Sequence, residues 1–189
     1  MLNTIFNFLL GRGKSHSIPR HVPHALYGAV VAQARLPALF ENHRLPDTYN
    51  GRFDVMLLHL FLLSHRLKGE DAKSHELSQQ VFDLFLDDMD RTMREQGVGD
   101  VSVPKRLKKM SRAFYGRIGA YEAALDQENA AELADSLNRN IYVKSPDEAA
   151  ATGLANYMIA CKHHLSRIAR EAFMRGELSW PNVGEESAG

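Results

Sequence analysis

At 189 residues the chain is long enough for one domain with a sizeable core and cramped for two. Its 23 Lys and Arg balance 23 Asp and Glu, and 44% hydrophobic with 24% charged residues is an ordinary globular composition with no overall pull toward nucleic acid or acidic membrane. Any electrostatic function is therefore local, and the single cysteine, Cys161, excludes an internal disulfide framework.

The N-terminal run MLNTIFNFLL is too short to span a bilayer, and its basic residues follow the apolar stretch instead of preceding it, unlike a signal peptide. Leu2, Ile5, Phe6, Leu9 and Leu10 share one helical face ahead of Arg12, Lys14 and Arg20. Two readings stay open: a foot that sets Leu2, Ile5, Phe6 and Leu9 on a membrane surface, or a short helix docked on its own domain. Residues 1–20 are read as this amphipathic segment and a basic linker, 21–176 as one helical domain, and 177–189 as a flexible tail, with PNVGEESAG expected to be disordered.

Beyond the linker the apolar spacing is helical throughout, with no sustained period-2 run, repeat or low-complexity segment. It predicts an all-α, single-domain bundle of about six to seven helices. They are expected at 22–34 with a Pro37-started continuation to 42, then 52–68, 72–96, 104–126, 128–140 and 147–174. LPDTYNG at 45–51, Gly69, Gly97 and SPDE at 145–148 punctuate them. The helix over 52–68 is apolar on most sides and reads as the central buried element. His59 within it has no second histidine three or four residues away, so it is expected as a hydrogen-bonded core residue, not a metal ligand.

Residues 70–100 carry nine acids against three cations. Asp83, Asp87 and Asp90 project away from the apolar arc of Phe82, Leu86, Met89 and Met93, and Asp87–Arg91 and Asp90–Arg94 are expected as i, i+4 pairs. Asp88 alone is aimed at a neighbouring helix, where an arginine is its expected partner. The following stretch, VPKRLKKMSRAFYGR, holds Lys105, Arg106, Lys108, Lys109, Arg112 and Arg117 and no acid. Pro104 is taken as its first helical residue. Val103, Leu107, Met110, Phe114, Ile118, Tyr121 and Leu125 repeat on one face, which is core; Lys105, Lys109 and Arg112 lie opposite, with Lys108 on the flank. Lys105, Lys108, Lys109 and Arg112 are the candidate partner-binding residues. The stripe suits a phosphate footprint, but Tyr115 is its only flanking ring, so sequence-specific reading of nucleic acid is not expected, while a general contact with RNA or a ribosomal surface stays open.

Motifs that carry chemistry are missing. DDMD at 87–90 has Arg91 where an isoprenoid-synthase DDxxD needs its third aspartate, and CKHH at 161–164 lacks one cysteine of a CxxCH haem site. There is no GxSxG, P-loop or GxGxxG. No catalytic residue, metal ligand or cofactor is expected. Apolar helices with a basic entrance also fit a helical enzyme of isoprenoid, quinone or lipid metabolism, which remains the alternative from another class, beside a ribosome- or RNA-binding module.

LYGAVVAQARLPALFEN at 26–42, LPDTYNGRFDVMLLHLFLLSHRLKG at 45–69 and LFLDDMDRTMREQGVGDVSVPKRLKKMSRAFYGRIGAYEAAL at 84–125 resemble, in order, the ubiquinol-cytochrome c chaperone family. PDT, NGRFD, DMDR, GVGD and FYGR carry the likeness as an ordered set from about 24 to 126, more loosely to about 175. The resemblance implies a helical, non-catalytic assembly factor for the respiratory ubiquinol-cytochrome c reductase (complex III). It implies as partners newly made cytochrome b or another complex III subunit, with possible contact to the ribosome surface and peripherally to the inner membrane. Without a transit-type extension, it also implies a bacterial member in the cytoplasm at the cytoplasmic face of the inner membrane.

Overall fold

Thr48, Asp71, Asn129 and Asp147 each stand one residue ahead of a helix, and each side-chain oxygen accepts the backbone N–H three residues on, at 2.8–3.1 Å. Such caps satisfy donors that the first helical turn leaves unpaired. The computed structural model describes residues 18–184, apart from the side chains of Ala113 and Phe114. Within that range the chain is all-α: α1 (His21–Ala34), α2 (Pro37–Asn42), α3 (Tyr49–Leu67), α4 (Ala72–Glu95), α5 (Ser102–Asp126), α6 (Ala130–Asn140), α7 (Glu148–Arg167) and α8 (Arg170–Met174). Leu2, Ile5, Phe6 and Leu9 lie outside the described residues.

α3 is the central element, as its all-round apolarity predicts: Val55 to Leu58 and Leu60 to Leu63 are each at most 6% exposed, under cover of α1, α4, α5 and α7. α6 packs on α5 and α7. His59, buried in this helix, is hydrogen-bonded as expected. Its Nδ1 faces the Val55 carbonyl at 2.8 Å and its Nε2 the Tyr157 hydroxyl at 2.8 Å. A carbonyl only accepts, so Nδ1 carries the proton and Nε2 accepts from Tyr157, whose oxygen in turn accepts from Gln33 Nε2 at 2.9 Å. Burial pushes the imidazole pKa down to about 4, so the ring is neutral.

Several boundaries differ from expectation for identifiable reasons. α5 begins at Ser102, two residues before Pro104, because a proline in the first turn forfeits only an N–H that has no intrahelical partner. The helix expected over 147–174 breaks between α7 and α8, where Ile168 is extended at ψ 124°. Arg66 makes that corner: Nε donates to the Leu165 carbonyl at 2.9 Å, a terminal nitrogen donates to Ile168 O at 3.0 Å, and the guanidinium lies 5.3 Å from the centre of the Phe173 ring.

The stretch read as the start of a flexible tail lies along the bundle as far as Gly184. Gly176, at φ 82°, closes α8 in a Schellman turn, with Gly176 N donating to Phe173 O and Glu177 N to Ala172 O, both at 2.9 Å. The reversed chain packs Leu178, Trp180 and Val183 on the core, and the Trp180 ring meets His59 edge-on at 5.0 Å.

Candidate docking face

α4 and α5 form an antiparallel hairpin turned at Gly97, where Gly97 N donates to Arg94 O at 2.9 Å and Val98 N to Met93 O at 3.0 Å. Gly97 has φ 80°, a left-handed conformation that costs glycine little. The apolar side of α5 faces inward. Val103, Tyr121 and Leu125 are at most 2% exposed, while Leu107, Met110 and Ile118 are half-buried; the side chain of Phe114 lies outside the described set.

Four attachments fix the roll of α5 about its axis. Arg117 donates to Asp54 Oδ1 of α3 at 2.9 Å, both side chains being largely covered. Lys68 pairs with Glu122, and His65 lies 2.7 Å from Asp126. Lys162 of α7 donates to the Leu125 carbonyl at 2.9 Å and to Glu128 Oε1 at 2.9 Å, capping the C-terminal end of α5. Glu128 sits at φ 54°, unusual for a residue with a side chain. Lys162 and His163 hold it there, and their hydrogen bonds draw its carboxyl pKa down to about 2.

With that roll set, Lys105, Arg106, Lys108, Lys109 and Arg112 are all exposed, and none pairs with a described acid. Arg117, grouped with them in the sequence, is spent on Asp54. Burial raises the Asp54 pKa, and the neighbouring Arg117 offsets only part of that rise. Asp88 and Asp90, acids of α4, are committed elsewhere. Arg91 takes Asp88 three residues back instead of the expected Asp87, and Arg94 bridges Asp90 and Asp100. Asp88 does reach a neighbouring helix, but its partner there is a tyrosine: Tyr27 of α1 donates to Asp88 Oδ2 at 2.9 Å.

Tyr115, expected as a ring beside the cations, packs on Phe82 with centroids 6.2 Å apart. The ring that does stand near them was not foreseen. Tyr49, 40% exposed, opens α3; partial burial raises its phenol pKa, and the nearby charge of Arg106 opposes the rise. Nothing in local sequence links positions 49 and 106. The structure thus brings Lys105, Lys108, Lys109 and Arg112 onto one face and adds Arg106 and Tyr49 at its edge. Among the described residues no three His, Cys, Asp or Glu side chains group as metal ligands would, and no helix is long and apolar enough to cross a membrane.

Within the described residues, fold and face together define an all-helical protein with a stripe of exposed cations on α5 that pair with no described acid. The chain belongs to the ubiquinol-cytochrome c chaperone family, whose sequence model matches residues 41–180. The crystal structure of the Cbp3 homolog from Brucella abortus superposes with a TM-score of 0.79 at 37% identity, over 97% of this chain and 98% of that one. Ubiquinol-cytochrome-c reductase complex assembly factor 1 of Xenopus laevis is 24% identical over 165 residues, 86% of this chain and 82% of the relative. The mouse protein of that name is 23% identical over 164 residues. This chain spans 55% of the mouse relative and 54% of the human one.

Proposed function

We propose that the chain is a non-catalytic assembly chaperone of ubiquinol-cytochrome c reductase, and that it docks at newly made cytochrome b, or another subunit of that complex, through the outer face of α5. One observation carries the reading: in a chain of this family, Lys105, Lys108, Lys109 and Arg112 stand exposed and without a described partner on a helix whose orientation is otherwise fully fixed. Long-range attraction from such a stripe speeds encounter with an acidic or anionic partner. On this reading the protein works at the cytoplasmic face of the inner membrane, with Leu2, Ile5, Phe6 and Leu9 of the N-terminal segment as an added surface contact. A tagged full-length chain, purified from gently solubilised cells of its own organism, should bring cytochrome b or another reductase subunit with it. Purification free of every reductase subunit would sink the reading.

A further inference from the structure

The outer face of α5 has the charged build of an interface rim and lacks the apolar centre that would bind a protein on its own. Protein interfaces centre on buried aromatic or aliphatic anchors and are depleted of lysine there. Here lysines hold the middle of the face. The exposed large apolar residues among those described are Leu36, Tyr49, Val101 and Val143, and on α5 only Val101 appears, just ahead of its first turn. At 100° per residue the five cations cover about 160° of the helix circumference and, from Lys105 to Arg112, about 10 Å of its length. None of them pairs with a described acid, and they spread along and around the helix instead of meeting at one point. A convex, diffuse stripe of this kind suits a polyanionic plane whose charges move to meet it, not a point ligand.

We propose that this face seats the chain on the anionic phospholipid head-group layer, with Lys105, Lys108, Lys109 and Arg112 against lipid phosphates and Tyr49 at the margin, where a ring with a hydroxyl tip suits the boundary between head groups and water. The inference rests on the docking reading above and deepens it: the counter-charge is the lipid surrounding a membrane-embedded client. RNA is the less suitable polyanion. Single strands need successive stacking rings, and among the described residues Tyr49 is the one exposed aromatic ring near the stripe, Tyr115 being packed on Phe82. Duplex RNA calls for contacts that straddle its grooves, which a single convex helix does not supply.

The test is co-sedimentation of the full chain with liposomes of phosphatidylcholine alone or mixed with phosphatidylglycerol, beside a polyuridylate binding assay at the same salt. The mixed liposomes should bind the chain and the neutral ones should not, with binding falling as salt rises. Lys105→Glu/Lys109→Glu/Arg112→Glu, checked for an unchanged helical spectrum, should lose at least about tenfold in liposome affinity. Phe6→Asp in the full chain perturbs the N-terminal segment separately, and the loss caused by the triple change should persist in that background. Equal liposome binding by wild type and triple variant overturns the proposal, as does binding to polyuridylate without binding to the mixed liposomes. If detergent-solubilised, lipid-free client is captured and the liposomes are ignored, the lipid assignment fails while the chaperone reading stands. Liposome binding together with normal reductase in cells lacking the protein would leave the lipid contact and remove the chaperone reading.

Discussion

At Gly51 a Cβ would lie 1.9 Å from the Pro46 carbonyl oxygen, nearer than any non-bonded carbon can sit. Turn residues alone would lead one to expect an unusual backbone angle at this glycine, the last of LPDTYNG. The residue is in fact helical, and the constraint is the neighbouring loop. Gly51→Ala should therefore lower stability by about 1–3 kcal/mol, measured by urea unfolding; an unshifted midpoint would mean that the loop retreats freely. His59 makes a second residue-scale prediction. Its folded pKa of about 4 lies below the ordinary 6.5, so between those values the unfolded chain takes up a proton that the folded chain refuses. The stabilisation is present above pH 6.5 and is lost as the pH falls through the window. By pH 5 about 2 kcal/mol should be gone, seen as a lower urea midpoint at pH 5 than at pH 7. Glu128 acts separately: its carboxyl, held down to about 2, loses its contribution only as the pH falls from its ordinary 4.5 toward that value. An unchanged midpoint between pH 7 and pH 5 would show that His59 carries its proton in the folded chain.

At the scale of elements, α5 was the most legible helix. Its 3.6-residue apolar period and acid-free stretch place the cations outward from sequence alone, and among the described residues five of the six have no acidic partner. The sixth could not be read, because Asp54, which pairs with Arg117, is 63 residues away. The break between α7 and α8 was hidden for the same reason: local periodicity runs through Ile168, and the arginine that turns the chain comes from α3. Arg66→Ala should strip the Ile168 carbonyl of its guanidinium donor and leave the Leu165 carbonyl only the Ile168 N–H at 3.2 Å, at a cost of about 1–3 kcal/mol, whereas an unchanged unfolding midpoint would show that water replaces the guanidinium at no cost. The contrary result is expected on the outer face. Lys105→Glu/Lys109→Glu/Arg112→Glu should change stability by no more than about 0.5 kcal/mol per site, since these cations pair with no described acid. Gross thermal destabilisation would show that they are internally satisfied after all.

Over the whole molecule, a net charge of zero conceals a segregation that the fold preserves. Asp90 of α4 pairs with Arg94 on its own helix, Asp88 turns to α1, and Lys105, Arg106, Lys108, Lys109 and Arg112 of α5 stand exposed without a described acid. All-α class, central α3 and buried His59 followed from periodicity, because burial of an amphipathic or all-apolar helix is dictated locally. The docking of Leu178 and Trp180 did not, since a short apolar pair after a glycine carries no period, and its partners lie on helices distant in sequence. On the function proposed above, the assembly role of this chain runs through the α5 face. It is tested most directly by measuring assembled ubiquinol-cytochrome c reductase in cells whose sole copy is Lys105→Glu/Lys109→Glu/Arg112→Glu, held at the wild-type protein level. The account predicts a marked fall in assembled reductase while the variant itself persists; a normal level of reductase would contradict it.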